Sequence, residues 1–257
     1  MLRNLMSLMI FFVCSTAVAE TEPPGTDSFN QYLTAYWDGQ ALSKELLLMA
    51  TEDSPDKAKA KIVGEKILEN KNKAERYLAQ SITEGNAAAV FYKARMTEFG
   101  DPMNPDLQQK REKACALYGD SARKGLLVGA IVYAKCSDTV PKTPRYDESR
   151  MLLRNVLNAE DAYLGYYPFA VSHAYCFERT VEPPKTDEDP FARIRLLGQP
   201  TLLEAQQARA EGFYYLAADY SSPVSAQSQQ DLQHALEAGC QTDGLRLKKK
   251  SQNPKQP

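Results

Sequence analysis

The chain holds only two histidines and one tryptophan in 257 residues. It contains no Gly-x-Ser-x-Gly turn, no His-Glu-x-x-His pair and no phosphate-cradling glycine loop ending in Gly-Lys-Ser/Thr. These absences leave out the nucleophile elbow, the zinc-protease helix and the nucleotide-binding loop. The formal net charge is −2, so there is no basic stripe for nucleic acid. After residue 19 no apolar run reaches the roughly 20 residues that a membrane-spanning helix needs. Alternating apolar–polar runs are missing too, while Ala, Leu, Glu, Gln and Lys abound. That pattern predicts helices and no strand.

The first residues read as an export signal. Arg3 supplies the positive start, Leu5 to Val13 a short apolar run, and Ala17-Val18-Ala19 a small-x-small cleavage site. Cleavage is expected after Ala19. Cys14 follows Phe12 and Val13, which is not the small-residue setting of a lipid-anchored cysteine. The expected organisation is a signal peptide over 1–19, a flexible leader over 20–27, a helical repeat domain over 28–243 and a disordered basic tail over 244–257. The expected location is a bacterial periplasm, with no membrane insertion once the signal is removed. Lys248-Lys249-Lys250 in the tail reads as a solvated end.

One segment occurs twice, forty residues apart. Lys73-Ala74-x-x-Tyr77-Leu78-x-x-Ser81-x-x-x-Gly85 returns as Lys113-Ala114-x-x-Leu117-Tyr118-x-x-Ser121-x-x-x-Gly125. A period near forty, with small residues and a closing Gly at fixed offsets, points to stacked helix hairpins. Helices are expected over Asn72–Glu84 and Ala87–Glu98, then from Asp106 to Gly125 and from Leu127 to Cys136. Ser54-Pro55-Asp56 reads as an earlier helix start with Ser as cap. A looser hairpin is expected over Tyr146–Asn158 and Ala162–Arg179, with Pro168 near a start or kink. The last helices are expected near Pro200–Asp219 and Ala226–Ala238. Val181 to Pro190 reads as a polar, proline-rich loop.

Four cysteines remain after cleavage: Cys115, Cys136, Cys176 and Cys240. An even count in an oxidising compartment suggests two disulfides. Gly125 marks the turn of a hairpin, with Cys115 ten residues before it and Cys136 eleven after. Antiparallel helices rise equally per residue, so these two sulfurs reach similar heights. The expected pairs are Cys115–Cys136 and Cys176–Cys240.

On Ala89, Tyr92, Gly100, Asp106, Lys113-Ala114, Leu117-Tyr118, Ser121-Ala122 and Gly125, with Ala130 and Tyr133 opening the next unit, the chain resembles the Sel-one-like repeat family. That family is related to the tetratricopeptide repeats. The likeness is good over Asn70 to Cys136, loose over Tyr146 to Arg179 and lost at the ends. It implies an all-α protein, an α-solenoid of stacked antiparallel helix hairpins, that binds other proteins and uses no cofactor. Cysteines clamping a hairpin also resemble secreted members of the family.

Three constellations invite chemistry. His173 and Cys176 with His234 and Cys240 offer a zinc set, but six residues on a helix turn by about 240°, so the second pair is poorly spaced. A disulfide is the preferred reading. Ser121-Ala122-Arg123-Lys124 fits Ser-x-x-Lys, yet it lacks the companion motifs of the penicillin-recognising enzymes. Acidic residues are plentiful, and no pair stands out in an apolar setting. Tyr163, Tyr166, Tyr167 and Tyr175 are the best candidates for a binding surface, although aromatics at this spacing more often pack a core.

The resulting expectation is a non-enzymatic periplasmic scaffold or adaptor within an envelope assembly, with no catalytic or metal residues. The alternative is an immunity protein that neutralises a toxin delivered to the periplasm, such as a type VI secretion effector. A cell-wall or β-lactam hydrolase stands third and requires an exposed, activated Ser121.

Overall fold

The computed structural model of the chain describes residues 22–51, 56–99, 106–137, 143–172, 174–177, 200–218 and 225–241. The expected signal, the expected basic tail, His173 and the loop expected over 181–190 lie outside these residues. The described part is mostly helical. Its helices are α1 (Thr26–Ala50), α2 (Lys57–Glu84), α3 (Ala87–Phe99), α4 (Leu107–Arg123), α5 (Leu127–Ser137), α6 (Pro144–Asn158), α7 (Ala205–Ala217) and α8 (Ala226–Glu237). Each of the first six helices packs against the next in the chain. α7 pairs with α8 and also rests on α5 and α6.

The helix ends follow from local chemistry. Asp56 caps α2, its Oδ1 accepting from the Ala58 and Lys59 amides at 2.9 and 3.1 Å. The expected Ser54 cap lies outside the described residues. Asp106 caps α4 in the same way, through the Gln109 amide at 2.8 Å. α2 ends at Gly85, with φ of 98°, and α4 ends before Gly125, with φ of 92°. A residue with a Cβ rarely takes this left-handed conformation, and it lets the chain reverse within two residues. Asn86 N–H then reaches Ser81 O at 3.0 Å, and Leu126 N–H reaches Ser121 O at 3.2 Å.

The repeated serines also play matching parts. Ser81 Oγ donates to Gly25 O, at the head of α1, at 2.9 Å. Ser121 Oγ donates to Ala87 O, at the head of α3, also at 2.9 Å. Each serine thus ties its own helix to the start of the preceding one. Small residues between them allow close approach. A Cβ added to Gly129 would lie 2.5 Å from Ser121 Oγ and 2.9 Å from Ser121 Cβ. One added to Gly119 would lie 2.9 Å from the Tyr133 ring. Around these contacts runs the core, with Ala87, Ala88, Ala89, Phe91, Tyr118 and Ile131 fully or almost fully buried.

Several expected elements are corrected. The region before Gly85 is not two helices, since α2 runs unbroken for 28 residues, about 42 Å. The leader is shorter than expected, because α1 already starts at Thr26 and the Gly25 carbonyl is held by Ser81. The largest change concerns Ala162–Arg179. No α-helix forms over its described residues; instead a 3-10 turn at Leu164–Tyr166 leads into the strand β1 (Phe169–Val171). Pro168 has no amide to donate to a helix, Gly165 weakens one, and the surrounding aromatics favour extended backbone. β1 pairs antiparallel with β2 (Thr201–Leu203), Phe169 facing Leu203 and Val171 facing Thr201. The expectation of no strand therefore fails at two short segments. β2 also takes the start of the helix expected at Pro200, and α7 begins only after a capping box formed by Glu204 and Gln207.

The glycine contacts give a stability test. Gly129→Ala should destabilise the protein by about 1–3 kcal/mol through overpacking against Ser121. Gly64→Ala, in open space within α2, should be neutral or stabilise by up to about 1 kcal/mol. Urea unfolding of both variants measures the difference, and equal midpoints would contradict the close packing of α4 on α5.

Candidate functional site

The tyrosines singled out in the sequence do different jobs. Tyr163 is 3 % exposed, and its hydroxyl accepts the first amide of α3, Ala87 N–H, at 3.1 Å. Tyr166 is half-buried, edge-on to Phe29 with ring centres 5.0 Å apart, and donates to Thr26 Oγ1 at 3.1 Å. Tyr167 donates to Asp161 Oδ2 at 2.8 Å, while Asp161 Oδ1 accepts the Tyr163 amide at 2.9 Å. Tyr163 and Tyr166 tie the 161–169 segment to α3 and α1, and Tyr167 braces it from within. Tyr163 offers no binding surface. Tyr175 is the exposed member at 43 %, and it sits apart from the others, its ring over Lys135 Nζ at 4.9 Å.

Lys135 leads to a cluster that sequence reasoning missed. Glu211, in the middle of α7, is wholly buried. Its Oε1 accepts from Lys135 Nζ at 2.7 Å and from the Tyr175 amide at 2.8 Å, and its Oε2 from the Cys176 amide at 2.8 Å. Desolvation pushes the Lys135 ammonium below its ordinary range, and the nearby carboxylate opposes that shift. Burying a carboxylate is costly unless it is paired and hydrogen-bonded, and here it is both. The signal in the sequence was one acid among the small residues Ala208, Ala210 and Gly212, but nothing nearby in the sequence named its partner.

Each disulfide adjoins this cluster through the chain. Cys136, next to Lys135, joins Cys115 with Cα atoms 5.9 Å apart. Cys176, whose amide serves Glu211, joins Cys240 with Cα atoms 4.7 Å apart. Two more cross-ties bind the same elements. Arg154 on α6 grips Asp231 on α8 through two hydrogen bonds, at 3.0 and 2.7 Å. Arg150 on α6 donates to the Tyr215 and Leu216 carbonyls near the end of α7.

Ser121 is fully buried and its hydroxyl is spent on Ala87 O, so a substrate has no access to it. Cys176 and Cys240 are bonded to each other, and His234 pairs with Glu237 at 3.5 Å. No group of three or more metal-ligating side chains occurs among the described residues. A polar cleft of about 410 Å3 lies where α1 begins and α2 ends, lined by residues including Glu22, Asp27, Gln80 and Glu84. Hydrogen bonds from Gln80 and then Ser28 hold the Glu84 carboxyl below its usual range. Among the described residues no helix is long and apolar enough to cross a membrane. No family model, curated protein or solved structure matches the chain.

Two measurements probe these contacts. Glu211→Ala should cost about 3–5 kcal/mol, because it strands a buried ammonium and two amides. Lys135→Met should cost less, since the carboxylate keeps both amide donors. Denaturant unfolding of the oxidised protein ranks the two, and the reverse order would contradict the cluster. The buried tyrosines supply the second. Burial is the main cause that raises the Tyr118, Tyr163 and Tyr167 phenols above their ordinary range. Unfolded phenols ionise near pH 10, so this stabilising share is whole below about pH 10 and falls as pH climbs further. Tyrosinate absorption from the buried rings should therefore appear together with loss of helicity. Smooth ionisation of all 14 tyrosines with helicity intact would contradict it.

Proposed function

We propose that the chain is a non-enzymatic, exported helical-repeat protein, resembling the Sel-one-like family, whose stacked hairpins bind another protein in the bacterial periplasm. One observation carries the reading. Ser81 and Ser121, forty residues apart, make the same tie to the head of the preceding helix, and Gly85 and Gly125 close both helices with the same left-handed turn. Repeats of this kind build extended surfaces, and their helices are consumed in shielding one another rather than in forming a reaction centre. The two disulfides fit an oxidising compartment. The preferred role is a scaffold or adaptor in an envelope assembly, without nucleic acid, cofactor or membrane insertion.

The test is affinity capture of the exported protein from the native envelope, followed by reconstitution with the purified partner. The expected result is a direct complex with one envelope-assembly component, at micromolar affinity or tighter, which is about −8 kcal/mol. Capture of a delivered toxin whose activity is blocked would assign the immunity role instead. A chain that retains no protein in reconstitution would end the protein-binding reading.

A further inference from the structure

α1 carries two apolar faces, and only one is covered. The inner face, with Phe29, Tyr32, Ala35 and Met49, is buried. The outer stripe runs Tyr36, Trp37, Gln40, Lys44, Leu47 and Leu48, in steps of one, three, four, three and one. That spacing keeps all six within one stripe, whose centre lies roughly 130° around the helix from the inner face. Trp37, Leu47 and Leu48 are 62 %, 67 % and 61 % exposed, and Tyr36 is 37 % exposed. Over residues 36–70 the hairpin of α1 and α2 buries little of itself. Among the described residues there, only Met49 and Val63 are buried.

We propose that this stripe is the interface for a second copy of the chain, the two α1 helices crossing antiparallel about a two-fold axis level with Leu42. The stripe is self-complementary in that arrangement. Tyr36 falls opposite Leu48 of the partner copy, Trp37 opposite Leu47, and Gln40 opposite Lys44. Aromatic rings meet leucines, and the one charge in the stripe meets a neutral amide. A parallel arrangement would set Lys44 against Lys44 and desolvate two like charges together, which is strongly unfavourable. The pairing does not depend on the protein-binding function proposed above.

Sedimentation velocity on the exported protein with its disulfides intact, from roughly 1 to 100 µM, tests the pairing. The expected result is a concentration-dependent dimer, with emission from Trp37, the only tryptophan, shifting to the blue as dimer forms. Trp37→Glu and Leu47→Lys should each weaken association at least tenfold while leaving circular dichroism unchanged. An equimolar mixture of these two variants should regain a heterodimer, because position 37 faces position 47. A monomer at every concentration, or a dimer indifferent to Trp37→Glu, would overturn the interface. Failure of the mixture to associate would overturn the antiparallel register. A monomeric chain that still captures its envelope partner would defeat this inference and leave the proposed function standing.

Discussion

The close approach of α4 and α5 sets the geometry on which the rest of the molecule is built. Their backbones come near enough at Gly129 that a single methyl group would collide with Ser121. The serine itself is occupied with the head of α3. Three helices therefore meet through the smallest side chains available, and large ones, Tyr118 and Phe91 among them, pack buried beside these contacts. Dense packing of this kind is intolerant of added volume and transmits position from one helix to the next. Elements with no counterpart in the repeat, β1 and the 3-10 turn, rest against a surface fixed in this way.

The second half of the chain is joined to the first by polar contacts rather than by repetition. α7 presents Glu211 to Lys135 of α5, and α6 reaches α7 and α8 through Arg150 and Arg154. Buried ion pairs seldom add much net stability compared with apolar packing, but they tolerate few alternative alignments. A carboxylate that needs a lysine and two amides at once fixes the rotation of α7 and the path of residues 174–177 together.

The sequence made helices α3 to α5 legible because their determinants are local. Gly85, Gly125 and Asp106 act within a few residues of themselves, and Lys-Ala, Ser and Gly recur at a fixed distance. The hairpin placing Cys115 near Cys136 needed only equal rise on two helices. Legibility was lost where the decisive partner lies far along the chain. Glu211 looks like an ordinary helix acid until Lys135, 76 residues earlier, is set beside it. Tyr163 reads as one of four tyrosines that could serve either a core or a binding surface until its hydroxyl is found on the Ala87 amide, also 76 residues away. β1 and β2 are three residues each, too short to show alternation, and their pairing spans the segment between them. Pro168 and Gly165 did signal trouble for a helix over Ala162–Arg179, but an apolar pattern at helical intervals outweighed them.

The order of the cystine bridges has a consequence for biogenesis. Cys115 bonds to Cys136 and Cys176 to Cys240, so the covalent loops 115–136 and 176–240 neither nest nor interlock. Under the export proposed above, a chain that emerges amino end first can close the first loop before Cys176 has emerged. An oxidant that joins thiols in the order of their arrival would then produce the native connectivity directly, with no later shuffling of bonds required.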